Sequence, residues 1–350
     1  MVGSPIVPPV VDAFPHILPK SLFDRMVAVA ETPAAENWLN GSRRQTGLYD
    51  LDLRFRMMDS LKDQDYRQVL TLATPPLEQV ASGTTLRDLT RLANDELAEL
   101  CRRHPDRFLG FAAGLPMDDP EAAIHELDRA VKSLGALGAQ IFTNVNGHAL
   151  DEPRFEPLFE RFAQLDRTIW VHGARSFVHP DFAGDEDSKY GLWLSLGWPY
   201  EMAMFMARIV IAGILERYPS LRIVTHHGGG MIPTFGQRVG ANAIGFQGPR
   251  HQSEFDAFGR LSKSPLEYFK QFYADTTVGA VARTIRASID FFGIDHVMFG
   301  SDWPFGPSTE LANIVPTLKV IEALGLSADE KTRLLSGNAL RVLGLTVLSG

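Results

Sequence analysis

The sequence predicts an α/β protein with a (β/α)8 TIM-barrel fold, and three observations lead to this fold class. Eight short apolar segments recur along the 350 residues, and each is followed by a stretch of helical character. The segments are continuously apolar, which is typical of parallel strands with both faces covered. No glycine-rich phosphate loop follows the first segment, which disfavours an open doubly wound sheet. We therefore expect one barrel domain over residues 1–350, with loop insertions near 20–60 and 176–198.

Each predicted strand ends at a polar residue, a glycine or a proline that cannot continue the sheet. The predicted strands cover residues 10–14, 68–72, 108–113, 139–143, 168–172, 222–227, 272–275 and 297–299. The predicted helices cover 20–40, 52–62, 85–103, a segment from 119 onwards, 154–165, 199–217, 279–291 and parts of 310–345. Asp119 and Pro120 mark the start of one helix particularly well, because they supply an N-cap acid and a first-turn proline.

Composition narrows the classes of partner. The chain is 45% hydrophobic and 22% charged, as in an ordinary globular protein, and its net charge of −8 offers no basic surface for nucleic acid. The longest apolar run, residues 202–215, contains Arg208 and is too short to span a bilayer, so we expect no membrane partner. The amino terminus lacks signal-peptide features, and the single cysteine, Cys101, suits a reducing compartment. The expected location is the cytoplasm.

Residues that could carry chemistry lie at or just after the ends of five predicted strands, at the carboxyl ends where barrels build their active sites. They are His16, His172, His227, Asp275 and Asp302. A carboxylate at the lip of a buried strand needs a cation, a metal or a reacting proton as its partner. Imidazoles and a carboxylate that converge in one barrel mouth are a ligand set for a divalent cation such as zinc or manganese. Three protein ligands leave a coordination position open for water or substrate.

Motifs along nearly the whole chain resemble the amidohydrolase superfamily, in the branch of aminocarboxymuconate-semialdehyde decarboxylase and related aromatic acid decarboxylases. In chain order the motifs are VDAFPHILP (11–19), RFLG (107–110), LPM (115–117), QIFTNVNG (140–147), WVH (170–172), HGGG (227–230) and GSDWPF (300–305). Each motif alone is weak, whereas the ordered set is specific. The resemblance implies an amidohydrolase-like barrel.

The resemblance also implies roles for individual residues. His16, His172 and Asp302 would be the metal ligands, with zinc favoured and manganese as the second candidate. His227 would be the catalytic histidine, and Asp302 could carry a proton as well as ligate. Strand alternation would let only one of the neighbours His226 and His227 face the barrel axis. Because the family motif selects His227, we expect His226 to pack against a helix.

One position departs from the family pattern. The first strand of the family usually ends in His-x-His, and Phe14 occupies the first of these positions here. Phenylalanine cannot ligate a metal, so the ion is held by fewer protein ligands or the site is weakened. We favour a retained metal, because the other ligand positions and His227 are intact.

A carboxylate substrate calls for a cationic side chain, and an aromatic one calls for aromatic walls. Arg175 and Arg250 are the candidates for the first role, and Phe14, Trp198 and Trp303 for the second. The alternatives are that these arginines are solvated surface charges and that the aromatic residues pack the barrel rim.

The leading hypothesis is a metal-dependent, non-oxidative decarboxylase of a small aromatic or conjugated unsaturated carboxylic acid, with His227 as general acid–base. A hydrolase or hydratase acting on a lactone, an amide or a C=C bond is the first alternative. The second is a metal-free, ligand-binding barrel, because of Phe14. The resemblance implies a homodimer, in which Arg250 is a candidate to reach across the interface.

Overall fold

Strands and helices alternate as predicted in the part of the chain that the computed structural model describes, which is residues 9–245, 260–306, 311 and 313–345. The strands are β1 Val10–Asp12, β2 His16–Ile17, β3 Tyr66–Leu72, β4 Phe108–Ala113, β5 Gly138–Phe142, β6 Asn144–Val145, β7 His148–Ala149, β8 Thr168–His172, β9 Arg222–Thr225, β10 Tyr273–Asp275 and β11 Val297–Met298.

The helices lie between these strands and after the last of them. They are α1 Lys20–Val29, α2 Pro33–Ser42, α3 Leu51–Asp59, α4 Gly83–Arg103, α5 Pro120–Leu134, α6 Glu156–Leu165, α7 Leu192–Ser195, α8 Gly197–Ile211, α9 Ile214–Arg217, α10 Ile232–Gly245, α11 Pro265–Phe269, α12 Ala282–Phe292, α13 Ile314–Ala323, α14 Ala328–Thr332 and α15 Asn338–Leu343. None of the described helices combines the length and the apolar character needed to cross a membrane.

The parallel strands form one curled sheet in the order β1, β3, β4, β5, β8, β9, β10, β11, and β2 extends β1 along β3. Backbone hydrogen bonds close the sheet between its last and first strands. The Ala13 amide donates to the Phe299 carbonyl at 2.9 Å, and the Asp302 amide donates to the Phe14 carbonyl at 3.1 Å. The predicted (β/α)8 barrel is thus confirmed.

Large side chains fill the inside of the barrel, as expected for a closed sheet of eight strands. Val11, Phe14, Val69, Trp170 and Met298 belong to one buried cluster within it. The Trp170 indole donates a hydrogen bond of 3.0 Å to a backbone carbonyl of the first strand segment, so its polar atom is satisfied inside the core.

The first strand contains a bulge that prepares the site. Asp12 pairs with Gln68 and His16 pairs with Thr71, so the first strand has one residue more than β3 over this interval. Phe14 lies within the bulge. The extra residue ends the regular ladder just before His16 reaches the carboxyl end of the barrel.

Local sequence signals explain where several helices begin and end. The Asp119 side chain caps α5 as predicted, accepting from the backbone amides of the first turn. The helix predicted over 20–40 is two helices, because Thr32 caps a new helix that Pro33 begins. The helix predicted over 199–217 breaks at Gly213, whose φ of 76° ends α8 and precedes α9.

The buried carboxyl of Glu78, in the loop that follows β3, has a consequence for stability. Glu78 lies in a short 3₁₀ turn and is 7% exposed, and its Oε1 has no hydrogen-bond partner in the described ranges of the chain. Burial, with a further contribution from the charge of Asp118, raises the pKa of Glu78 from 4.5 to about 7. Folded Glu78 therefore holds its proton at pH values where the unfolded chain has released it.

We predict that Glu78→Gln changes the pH dependence of stability. Because the native state binds more protons, the contribution of Glu78 to the free energy of unfolding is most favourable below about pH 4.5 and is lost as pH rises to about 7. The variant should gain in melting temperature over the parent at pH 8 relative to pH 5. Glu186→Gln, at an exposed loop position, is the control. Equal shifts at both pH values for Glu78→Gln would contradict the prediction.

Candidate active site

Four predicted site residues meet at the carboxyl ends of the barrel strands. His16 begins β2, His172 ends β8, His227 follows β9 and Asp302 follows β11. His16 Nε2 lies 3.2 Å from Asp302 Oδ1, and the ring centroids of His16 and His172 are 5.2 Å apart. The His227 ring centroid is 5.5 Å from that of His172. The structure therefore brings these four side chains together.

His226 also belongs to this cluster, and the prediction that it packs against a helix is wrong. Its fully buried ring is centred 4.9 Å from the ring of His172, and its Nε2 lies 3.4 Å from Asp302 Oδ1. Alternation does not apply here because β9 ends at Thr225. His227 then adopts a φ of 56°, and this turn brings both neighbouring imidazoles to the barrel mouth.

Backbone carbonyls fix the orientation of two imidazoles. His16 Nδ1 lies 3.1 Å from the Leu72 carbonyl, and His172 Nδ1 lies 2.8 Å from the Gly173 carbonyl. A carbonyl only accepts, so each Nδ1 carries the hydrogen, and the neutral ring offers an Nε2 lone pair.

A carboxylate holds the third imidazole. His226 Nδ1 donates to the buried carboxylate of Asp275, which also accepts from the Gly228 amide at 3.0 Å and the Thr277 amide at 3.1 Å. Gly228 has a φ of 64°, and a Cβ there would lie 2.8 Å from Val278 Cγ1. The close approach that satisfies Asp275 therefore requires glycine at this position.

The donor set fits a divalent cation. One potential ligand atom from each of His16, His172 and His226 lies within 4.8 Å of the other two, and the same holds for His226, His227 and Asp302. The Nε2 atoms of His16 and His226 are buried and have no hydrogen-bond partner among the described residues. Nitrogen lone pairs directed at a carboxylate oxygen repel it unless positive charge lies between them. Imidazole and carboxylate ligands of this kind are those of zinc and manganese sites.

Charge is distributed unevenly over the cluster. Burial lowers the pKa of His16, and burial with the neighbouring histidine charges holds the pKa of His172 well below its ordinary range. Burial acts on His226 in the same direction, but the charges of Asp275 and Asp302 outweigh it and raise its pKa to about 9. The pKa of Asp302 stays well below its ordinary value despite burial, because its carboxylate faces His16 and His226. The site therefore favours positive charge beside Asp302, which a proton or a metal ion can supply.

Phe14 lies beneath the imidazoles. Its ring is fully buried and stacks on that of His226, with centroids 4.0 Å apart and planes 24° from parallel. An edge contact joins it to His16 at 5.6 Å. Phe14 is not among the described residues on the cavity wall, so it supports the cluster from below where it was predicted to stack a substrate ring.

The cluster opens into a cavity of about 720 Å³ with aromatic walls. His172, His227 and Asp302 line it together with the aromatic residues Trp38, Trp198 and Phe305. The Trp198 ring lies nearly parallel to that of His227, with centroids 5.8 Å apart, and its role in substrate contact stays a prediction. No lysine or arginine occurs among the described residues of the wall. A flat, largely apolar ligand fits such a cavity.

Two other predicted substrate contacts, Arg175 and Trp303, lie outside this cavity wall. The Arg175 guanidinium lies 3.4 Å from Glu201 and donates to the Pro180 carbonyl at 3.1 Å, in a neighbouring cavity. Trp303 is buried, and its ring packs under a guanidinium outside the cavity wall. Its role in substrate contact was predicted from its place after a strand, and that place does not determine the direction in which its side chain points. Arg250 lies outside the described residues.

Arg54 is a buried residue that the sequence reasoning missed. From α3 its guanidinium donates to the His16 carbonyl, donates to Gln68 Oε1 at 2.7 Å and lies 4.4 Å from the ring centroid of Trp303. It thereby joins the segments that carry His16 and Asp302. An arginine on a polar helical stretch resembles a solvated residue, and only the closed barrel places it inside.

We predict that Arg54→Lys lowers the free energy of unfolding by about 2–3 kcal/mol. Lysine keeps the charge but cannot form the same forked set of hydrogen bonds or the planar contact with Trp303. Chemical denaturation measures the change. Arg56→Lys, exposed on the same helix, should stay within about 0.5 kcal/mol of the parent. Equal effects of the two changes would contradict this role for Arg54.

Comparisons with known proteins agree with the fold and the site. The amidohydrolase family model matches residues 14–345. A 2-amino-3-carboxymuconate-6-semialdehyde decarboxylase from Dictyostelium discoideum is 30% identical over 300 residues, which cover 85% of this chain and 77% of that protein. A gamma-resorcylate decarboxylase from Polaromonas sp. JS666 is 31% identical over 300 residues, which cover 82% and 85% respectively.

A solved structure shares the fold. It is a dihydroxybenzoic acid decarboxylase from Polaromonas sp. JS666 with bound manganese and the inhibitor 2-nitroresorcinol. Its TM-score is 0.75, the sequence identity is 24%, and the match covers 96% of this chain and 97% of that one. With the family model spanning nearly all of the barrel, the chain belongs to the amidohydrolase family.

Proposed function

We propose that this protein is a metal-dependent, non-oxidative decarboxylase of an aromatic carboxylic acid. The observation that carries the proposal is the set of buried imidazoles around Asp302 at the end of a cavity with aromatic walls. The two relatives described above are decarboxylases by name, and the chain covers more than two thirds of each.

His16, His172 and Asp302 are the ligands we assign to the metal. When bound, a divalent cation there supplies positive charge that orients the substrate carboxylate, or a hydroxyl next to it, and offsets negative charge that develops on the substrate. Zinc is the ion we favoured from the sequence. Manganese is equally compatible with imidazole and carboxylate ligands, and it is the ion in the solved dihydroxybenzoic acid decarboxylase.

The cavity suits one flat ring with its carboxylate directed at the cluster. Trp198 provides a ring parallel to His227, and its indole donates to the Arg175 carbonyl at 3.1 Å, which fixes its orientation. Because no described wall residue is cationic, a substrate carboxylate finds its positive partner only at the metal end among the described residues. The aromatic walls and the single cationic end together support an aromatic monocarboxylic acid.

The reaction breaks the bond between a ring carbon and the carboxylate. Carbon dioxide leaves, the electron pair stays on the ring carbon, and that carbon takes up a proton. His227 is the group we assign to move this proton, with Asp302 as the second candidate. Within the part of the chain that the structure describes, His227 Nε2 has no hydrogen-bond partner. Burial, together with the charge of His226, lowers the pKa of His227 to about 4. A neutral imidazole can receive a proton from a substrate hydroxyl and pass it to carbon.

Two further predictions accompany the proposal without an observation that tests them. The homodimer, with Arg250 as a candidate at its interface, stays a prediction, as does the cytoplasmic location. Size-exclusion chromatography with light scattering measures the first, and cell fractionation measures the second.

We predict about one equivalent of manganese or zinc per chain in protein purified without added metal or chelator. His172→Ala should lose most of it, because it removes an Nε2 donor from the buried set. Elemental analysis measures the content, and His125→Ala at an exposed helical position is the control. A parent protein that stays metal-free even after incubation with excess metal would contradict the assignment.

We predict that the metal-loaded protein releases carbon dioxide from at least one member of a panel of hydroxybenzoates and dienoic acids. His227→Gln should lower kcat by a factor on the order of 10² to 10⁴, since it removes the proton-transfer group, and leave the metal content unchanged. His125→Gln is the matched control. Incorporation of solvent oxygen into product without carbon dioxide release would instead support a hydrolase or hydratase.

A further inference from the structure

Phe14 occupies a position where the family usually has a metal-ligating histidine, so a fourth protein ligand would have to come from another side chain. In this chain the ring of Phe14 stacks on that of His226, with centroids 4.0 Å apart. The edge of the imidazole, and not its face, therefore points toward the cluster. Phe14 thus packs against the ring of His226, whose Nε2 is directed at Asp302.

We infer that His226 is a protein ligand of the metal and takes over the role that Phe14 cannot fill. The inference rests on the metal site in the proposed function. It makes the centre a set of four ligands, His16, His172, His226 and Asp302, and leaves His227 free for proton transfer.

The nitrogen donors of His16 and His226 lie at nearly the same distance from Asp302 Oδ1. Asp302 Oδ1 lies 3.2 Å from His16 Nε2 and 3.4 Å from His226 Nε2. Two ligand atoms bound tetrahedrally at about 2.0–2.1 Å from one ion are separated by about 3.3–3.4 Å. His226 is thus placed relative to Asp302 as His16 is, although only His16 was assigned as a ligand from the sequence.

The Asp275 carboxylate fixes the imidazole of His226 from the side away from Asp302. Its Nδ1 donates to Asp275, and two backbone amides hold that carboxylate in turn. A carboxylate behind a ligating histidine fixes the ring and makes Nε2 a stronger donor. Nε2 is buried and makes none of the described hydrogen bonds, and Asp302 Oδ1 lies 3.4 Å from it, so a cation that both atoms ligate would complete the arrangement.

Its neighbour has a different environment. His227 is only partly buried, its Nδ1 lies 3.3 Å from the Thr277 carbonyl, and its ring lies beside Trp198 on the cavity wall. His227 has no carboxylate behind it among the described contacts and faces the space where a substrate fits. The two adjacent histidines therefore have different roles: His226 ligates the metal, and His227 transfers the proton.

A simpler arrangement would keep His226 as a permanently protonated partner of Asp275 and Asp302. In that case its removal would alter stability without removing a donor from the metal. Metal binding, measured apart from activity, separates the two arrangements.

The experiment titrates metal-stripped, folded protein with Mn²⁺ and reads free Mn²⁺ by electron paramagnetic resonance, with circular dichroism to verify folding. His226→Gln and His227→Gln are matched variants, since they place the same change at adjacent positions. We expect His226→Gln to weaken Mn²⁺ binding at least 100-fold and His227→Gln to change it less than 3-fold. Asp275→Asn, which removes the support behind His226, should weaken binding about 10- to 100-fold.

The Phe14 variants complete the test. Phe14→Leu keeps an apolar side chain beneath the ring and should leave Mn²⁺ binding within 3-fold of the parent. The parent itself should bind Mn²⁺ without the imidazole that Phe14→His would add. Should His226→Gln fail to fold, the visible absorption of Co²⁺-loaded Asp275→Asn replaces it, and an unchanged spectrum would overturn the inference.

The outcomes separate this inference from the proposed function. Folded His226→Gln that binds Mn²⁺ as the parent does overturns the inference alone. A parent that binds no metal overturns both. A parent that binds metal through His226 but releases no carbon dioxide overturns the decarboxylase and leaves the ligand assignment standing.

Discussion

The Nε2 atoms of His16 and His226, which lie 3.2 and 3.4 Å from the same Asp302 oxygen, are the constraint on which this barrel mouth depends. The outer nitrogens of His16, His172 and His226 are held by acceptors, so their inner nitrogens cannot turn away to find other partners. Such a cluster is stable only with positive charge at its centre. The requirement for a cation therefore follows from hydrogen bonds behind the imidazoles as much as from the imidazoles themselves.

The barrel supplies the rigidity that this arrangement needs by tying its first and last strands together. Asp12 is fully buried, and its carboxylate accepts from the Ser301 amide at 3.0 Å and from the hydroxyls of Ser301 and Tyr66. Asp302 follows directly, with a φ of 63° that an L-residue adopts at a cost. Asp12 on one side and Arg54 on the other thus hold the loop in which Asp302 faces His16. The closing seam of the barrel and the site are one structure.

Much of the fold and part of the site could be predicted from the sequence, for reasons that differ between residues. Continuous apolar runs that end in polar residues identify parallel strands, and the ends of parallel strands meet by geometry, so His16, His172 and Asp302 could be brought together without coordinates. The prediction for His226 failed because alternation holds only inside a strand. β9 ends at Thr225, directly before His226, and His227 then adopts a left-handed conformation.

The direction of a side chain outside regular structure could not be predicted either. Arg175 follows β8 at the mouth, as a substrate-binding arginine would, but its guanidinium pairs with Glu201 in the neighbouring cavity. A Cβ at Gly197 would lie 2.5 Å from Arg175 Cδ, so the arginine lies against the start of α8, on the other side of the loop that follows β8. Contacts of this kind depend on how loops pack onto the barrel, which no local pattern encodes.

Phe14 illustrates how the loss of one ligand can be compatible with a working site. A phenyl ring needs no hydrogen-bond partner, so it can fill the barrel centre, where an unligated imidazole would have to be satisfied. It also gives the ring of His226 a flat surface to pack on, at 4.0 Å between centroids, while Asp275 fixes the same ring through its edge. Packing from one side and a hydrogen bond from another leave the imidazole with a single orientation. In the ligand set that we infer, the ligand that Phe14 cannot supply from the first strand segment comes from His226, which directly follows β9.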